Sequence, residues 1–168
     1  MRNYSQLRII LICSMQHLTR DEIRQSLTAC GLKATHQRIV VLEAVAELHG
    51  SHPTAEDVFQ RLRPANPTIS LGTVYKTLDT FTETGMLRRV VSEGGSKRYD
   101  SNTMTHSHIY CSKTKEIVDF EDKELEQLLI RFFSERQVDN FEIKGFSIQV
   151  TGCKLDPDKK ISITKVSK

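Results

Sequence analysis

The stretch Ser70-Leu71-Gly72-Thr73-Val74-Tyr75-Lys76-Thr77-Leu78-Asp79-Thr80-Phe81-Thr82-Glu83-Thr84-Gly85 decides the fold. Ser70 can cap a helix running from Leu71 to Thr84, with Val74, Leu78 and Phe81 as its apolar stripe and Gly85 as its stop. Beyond Gly85 the period changes. Met86 to Val91 and Ser96 to Asp100 are short β-prone runs joined by Glu93-Gly94-Gly95, a hairpin turn signal. Upstream, helical punctuation recurs. Thr19 and Glu22 form a capping box opening a helix from Arg20 to Cys30 that stops at Gly31. Thr35 caps a second helix, with Ile39, Leu42, Val45 and Ala46 on one face and Gly50 beyond its end. Thr54, with Asp57 three residues on, caps a third helix whose Val58 and Leu62 point inward, and Pro64 and Pro67 then break the chain. Short helices followed by a two-stranded hairpin are the plan of a winged helix-turn-helix. A generic small helical domain shares the pattern.

After Asp100 comes a polar connector, Ser101 to Thr105. Ile109–Cys111 and Glu116–Phe120 read as strands about a turn at Ser112–Lys115. Glu121–Arg136 reads as an amphipathic helix with Leu125, Leu128, Leu129, Phe132 and Phe133 on its buried side. Phe141–Thr151 alternates as a strand, with Gly145 suited to a bulge. A unit this small buries little surface alone, which points to dimerisation.

The 168 residues are 38% hydrophobic and 27% charged, too apolar for a disordered chain. No apolar run approaches the roughly 18–20 residues of a membrane span. The apolar Leu7–Met15 stretch is short for a signal peptide and lacks a small-residue cleavage site, so the expected location is cytoplasmic. Residues 1–100 carry 13 Lys/Arg against 10 Asp/Glu, and residues 101–168 carry 11 against 11. The positive excess therefore sits in the N-terminal part, a modest pointer to nucleic acid. Cys13, Cys30, Cys111 and Cys153 form no Cys-x-x-Cys pair, and in a cytosolic chain they are expected to be free thiols.

Asp100, His106, His108 and Asp119 gather imidazoles and carboxylates within 20 residues. In an extended chain His106 and His108 share a side. Such donors suit Fe(II), Mn(II) or Zn(II); solvated loop histidines near unrelated acids are the alternative. His52, before Pro53, is a candidate fifth ligand, while His17, His36 and His49 read as surface residues. In the Ser70 helix, Ser70, Gly72 and Thr73 permit close approach to DNA, with Tyr75 and Lys76 on an exposed face and Lys97 and Arg98 in reach from the hairpin. An ordinary polar helix face explains the same residues.

Together these pieces resemble the ferric uptake regulator (Fur) superfamily of metal-dependent transcription factors, from about Leu32 to Cys153. The match lies in Leu32–Arg38, His52–Val58, Ile69–Leu78, Arg98-Tyr99-Asp100 and His106-Ser107-His108. The resemblance implies an α+β fold: a winged helix-turn-helix domain over residues 19–100, a hinge at 101–105 and a small α/β dimerisation and metal-sensing domain at 106–155. Residues 1–18 would be a flexible extension, with Met15 a possible true start, and 156–168 a flexible tail. It implies one divalent ion per subunit, Fe(II) or Mn(II) (Zn(II) when purified), on His52, Asp100, His106, His108 and Asp119. Asp at position 119 is similar to the peroxide-sensing PerR branch, in which the histidines matching His52 and His106 are oxidised. The implied partner is an operator in double-stranded DNA, bound as a homodimer through Lys33, Arg38, Ser70, Gly72, Thr73, Tyr75, Lys76 and Lys97. No membrane and no small molecule besides metal and peroxide is implied.

Three departures matter. The family's structural zinc uses two Cys-x-x-Cys pairs, here Cys111-Ser112-Lys113-Thr114 and Cys153-Lys154-Leu155-Asp156, so no four-cysteine zinc is expected. Cys111 and Cys153 become small buried hydrophobes or a residual pair. Thr105, Ser107 and the His-free stretch 141–152 offer little to a further family metal site, and His36 stands where Pro is common. The alternatives are an iron- or zinc-uptake regulator without peroxide response and a metal-independent DNA-binding protein. An enzyme is disfavoured, because no zincin helix, nucleophile elbow or phosphate loop is present.

Overall fold

The computed structural model describes residues 18–91 and 96–164. The expected N-terminal extension through residue 17, with Cys13 and His17, lies outside them, as do the Glu93-Gly94-Gly95 turn and the last four residues of the expected tail. The chain divides into two compact units, residues 1–104 and 105–168.

The first unit holds α1 (Arg20–Ala29), α2 (His36–Glu47), α3 (Ala55–Leu62) and α4 (Leu71–Glu83), then β1 (Arg88–Val91) and β2 (Lys97–Asp100). All four helices start on hydroxyl caps: Thr19, Thr35, Thr54 and Ser70 each accept a first-turn amide, and Thr19/Glu22 and Thr54/Asp57 close full capping boxes. Gly85, at φ 71°, ends α4 in the left-handed region, where the Met86 amide reaches back to the Phe81 carbonyl at 2.8 Å. That reversal feeds β1 into an antiparallel pair with β2, Arg88 opposite Asp100.

Helix α2 departs from the one-faced expectation. Ile39, Val40, Val41, Leu42, Ala44, Val45 and Ala46 are all buried, because α1, α3 and α4 each pack on it. Phe81, Leu27, Leu42, Leu78 and Val58 complete a core with no solvent contact. The connector is also better anchored than a bare hinge. The Asp100 carboxylate accepts the Asn102 amide at 2.7 Å, His49 Nδ1 meets Ser101 Oγ at 2.7 Å, and Arg88 donates to the Met104 carbonyl at 2.8 Å.

The second unit holds β3 (Ser107–Cys111), β4 (Ile117–Phe120), α5 (Lys123–Ser134) and β5 (Gln149–Gly152). β3 is central, antiparallel to β4 and parallel to β5. Asp122 caps α5, accepting the Glu124 and Leu125 amides at 2.9 Å. Two expectations fail here. α5 has no buried residue: Leu125, Leu129 and Phe133 are half-buried, and Leu128 and Phe132 are 57% and 49% exposed. The apolar stripe is wider than a sheet of three short strands can cover. The strand expected over 141–151 is only Gln149–Gly152, and all of its residues are exposed. Gly145 marks no bulge; a Cβ there would come within 3.3 Å of Thr105 Oγ1, so it permits a close approach.

No helix among the described residues is long and apolar enough to cross a membrane. Replacing the fully buried Phe81 by Ala is expected to lower the stability of the first unit by about 3–5 kcal/mol, read as a fall in urea midpoint at unchanged slope.

Candidate metal centre

His52 follows the end of α2 and precedes Pro53, where a side chain is normally driven to extended backbone. It adopts φ 48° instead, in the left-handed region, and is 1% exposed. Strand β2 holds it there. Arg98 Nη1 donates to the His52 carbonyl at 2.9 Å, the Tyr99 amide donates to the Pro53 carbonyl at 2.9 Å, and Thr54 bridges Arg98. The next residue of β2 is Asp100, whose Oδ2 lies 3.9 Å from His52 Nε2, both side chains being buried. Its other oxygen is taken by the Asn102 amide, an Asx turn that fixes the carboxylate.

The second unit builds its set from one ladder position. His108 lies opposite Asp119 across β3 and β4. Asp119 Oδ1 stands 3.5 Å from His108 Nε2 and 3.2 Å from His106 Nε2, and the two rings meet edge-on at 4.5 Å. The segment leading into β5 fixes the backbone beneath them. Ser147 donates to the His106 carbonyl, and the His108 amide donates to the Ile148 carbonyl, each at 2.9 Å.

Donor atoms about 2.0–2.2 Å from one ion lie roughly 3–3.5 Å apart when adjacent, and farther when the angle opens. The spacings within each set meet that requirement. Neutral imidazoles with carboxylates and no thiolate suit Mn(II), Fe(II) or Zn(II). The sulfur positions fit a four-thiolate zinc poorly: the Cys-x-x-Thr and Cys-x-x-Asp turns retain one sulfur each. Cys111 is buried and Cys153 is exposed, so of the two expectations, buried hydrophobes or a residual pair, the first does not hold for Cys153.

The residues expected to meet DNA are distributed unevenly. Lys33, Gly72, Lys76 and Lys97 are exposed, and Ser70, the α4 cap, shares a hydrogen bond of 3.0 Å with the Thr73 hydroxyl. Arg38 is half-buried and donates to the Lys33 carbonyl at 3.0 Å. Tyr75 is not on an open face. It is half-buried, and its hydroxyl donates to Glu56 on α3 at 2.6 Å. That bond holds the Glu56 carboxyl below, and the Tyr75 phenol above, their ordinary ranges. Arg98, expected to reach DNA from the hairpin, is instead turned onto His52. His49, expected at the surface, is half-buried against Ser101. Both roles depend on long-range pairing, which local sequence pattern does not encode.

The family model described as the ferric uptake regulator family matches residues 29–151. The chain belongs to the ferric uptake regulator family. Among curated relatives, the peroxide-responsive repressor PerR of Staphylococcus aureus (strain Mu50 / ATCC 700699) is 33% identical over 147 residues, spanning 87% of this chain and 96% of that protein. Among solved structures, the Vibrio cholerae ferric uptake regulator is 28% identical at a TM-score of 0.67, covering 78% of this chain and 98% of that one. The Pseudomonas aeruginosa ferric uptake regulator with manganese is likewise 28% identical at a TM-score of 0.67, covering 80% and 98%. The architecture is that of the family: α+β, a winged-helix unit followed by a smaller α/β unit. This ferric uptake regulator homologue is a metal-responsive transcription regulator similar to PerR-type repressors, and its family consists of regulators rather than enzymes.

The Arg98 contact carries a test. Arg98→Ala is expected to weaken Mn(II) binding about 10–100-fold, the usual effect of removing a group that orients a ligand. Competition titration against a chelating indicator measures it, with far-UV circular dichroism as the control for folding.

Proposed function

We propose that this regulator binds operator DNA as a homodimer when His52, Asp100, His106, His108 and Asp119 hold one Fe(II) or Mn(II) ion per subunit, and that peroxide ends the binding. The observation that carries the reading is the matched spacing of imidazole and carboxylate atoms in both units, 3.9 Å in the first and 3.2 and 3.5 Å in the second. Similarity to a peroxide-responsive repressor and the Asp at position 119 support the PerR-type reading over a metal-uptake regulator.

Bound Fe(II) supplies the one-electron chemistry that turns peroxide into an oxidant beside its own ligands. The chain's residues do the rest. His52 and Asp100 commit the first unit to the ion, and His106, His108 and Asp119 commit the second, so the few residues between Asp100 and His106 lose freedom. The winged-helix units of a dimer then present their α4 helices at one spacing, which is what two half-sites require. On DNA, the amino end of α4 with Ser70, Gly72 and Thr73 faces the groove, and Lys33, Arg38, Lys76 and Lys97 meet phosphates. A Cβ at Gly72 would meet only Ser70 Oγ at 3.8 Å, so packing within the chain does not require glycine there and close approach to DNA does. Tyr75, bound to Glu56, offers its ring to a thymine methyl without losing that bond. The exposed apolar stripe of α5 is the expected surface between the two copies.

With excess Mn(II), His52→Ala and His106→Ala should each lower operator affinity at least tenfold in a mobility-shift titration; undiminished binding at full metal occupancy would refute the coupling. After peroxide treatment of the Fe(II) protein, peptide mass spectrometry should find one added oxygen on His52 or His106. Unmodified histidines would favour a pure uptake regulator. Leu128→Glu should shift the protein from dimer to monomer in sedimentation, since a charge would then sit in a desolvated interface.

A further inference from the structure

At the end of the second unit, the turn after β3 and the residues after β5 meet at a corner the metal centre does not use. The register pairs Cys111 with Gly152, and Cys153 is the next residue. Parallel strands about 4.8 Å apart, with about 3.3 Å per residue along the chain, put the Cα atoms of Cys111 and Cys153 roughly 6 Å apart. A disulfide spans that distance without moving the backbone. The sulfur positions agree. Cys111 Sγ accepts the Lys154 amide at 3.3 Å, and that nitrogen lies two bonds from the Cys153 Cα, so this Cα is within about 6 Å of the sulfur.

The two thiols are differently placed. Cys153 is exposed, 3.0 Å from the Ser112 hydroxyl. Cys111 is buried in a ring of donors, the amides of Thr114 at 3.4 Å and Lys154 at 3.3 Å. Hydrogen bonds from Thr114, then from the Lys154 backbone, pull the Cys111 thiol down to about 7, against the opposing effect of burial. The charged groups of the two segments are Lys113 and Lys115 of the turn, Asp156, and the Lys154–Glu116 ion pair at 2.5 Å.

We infer that Cys111 and Cys153 form a reversible, peroxide-driven disulfide that staples the exposed strand β5 to β3. Access selects the first step: a hydroperoxide transfers one oxygen to the Cys153 sulfur, leaving a sulfenic acid and water (or an alcohol). The Cys111 thiolate then attacks the Cys153 sulfur. The S–S bond forms as the S–O bond breaks, and the departing hydroxide takes a proton from solvent. Two thiols are oxidised and one peroxide is reduced, with no metal needed. Closing the chain between Cys111 and Cys153 removes freedom chiefly from the unfolded state, so the oxidised second unit is the more stable.

The experiment uses the full chain in excess chelator, treated with hydrogen peroxide and mapped by non-reducing peptide mass spectrometry. The expected product is the Cys111–Cys153 peptide pair, lighter by two hydrogens, with a raised Tm that returns to its starting value on adding a thiol reductant. Cys111→Ser should stop at a Cys153 sulfenic acid that a dimedone-type reagent traps. In Cys153→Ser, Cys111 should remain a thiol after peroxide, because its sulfur is buried. Since Cys153 is exposed, the second variant tests the pairing even if the first misfolds. A dominant disulfide from either cysteine to Cys30 or Cys13, or over-oxidised Cys153 beside an intact Cys111 thiol, would overturn the proposal. Because the chelator removes iron, a failure here leaves the histidine oxidation reading untouched.

Discussion

A histidine held in left-handed backbone, immediately before a proline, is the constraint on which the first unit's candidate ligand pair depends. Such a conformation costs on the order of 1–3 kcal/mol and persists only when the surroundings over-determine it. Here strand β2 does so. Three consecutive residues, Arg98, Tyr99 and Asp100, respectively grip the His52 carbonyl, grip the Pro53 carbonyl and face the His52 ring. The strand that forms the wing is thus also the strand that fixes one imidazole and supplies one carboxylate. A displacement of β2 would reach His52 through the Arg98 side chain and its neighbour Pro53 through a backbone hydrogen bond.

The second unit solves the same problem by different means. Its histidines lie on and next to a strand, where alternation puts both rings on one side without strain, and the ladder brings Asp119 across. What the unit lacks is cover over its outer elements. β5 is exposed throughout and α5 buries no residue, so the sheet gains little from apolar burial within one chain. Its order rests on specific bonds: Ser147 to the His106 carbonyl, the His108 amide to Ile148, and the Ser112 amide to the Gly152 carbonyl at 2.8 Å. A unit of this kind is the part of the molecule most responsive to a second copy or to a covalent staple. Both contribute stability from outside the core.

Legibility in the sequence followed the range of the interaction. Caps are local, so Thr19, Thr35, Thr54 and Ser70 were readable from spacings of three residues, and so were the stops at Gly31 and Gly85. The pairing of His106, His108 and Asp119 was partly readable, because a tight hairpin makes register nearly local. The roles of Arg98, His49 and Tyr75 were not. Arg98 reaches a residue 46 positions away and His49 one 52 away, and basic or imidazole side chains at such positions look no different from solvated ones. α5 misled for another reason: its apolar stripe is real, but periodicity reports which face seeks burial and not whether the same chain provides it.

The bond between Tyr75 and Glu56 ties helix α4 to helix α3. A tyrosine without such a bond would sample several rotamers, and ordering it on binding a partner would cost side-chain entropy. Tied at 2.6 Å to a carboxylate on α3, it is ordered before any partner arrives. The same bond places α4 and α3 in fixed relation near the amino end of the helix, where Val74 and Val58 are both fully buried. Helix α3 in turn is capped by Thr54, two residues after His52, and that cap residue bridges Arg98. Chain connectivity and hydrogen bonds therefore run from His52 through Thr54 and α3 to Tyr75, entirely within one compact unit. A shift at His52 would be carried to α4 along a path made of backbone and the Tyr75–Glu56 side-chain bond.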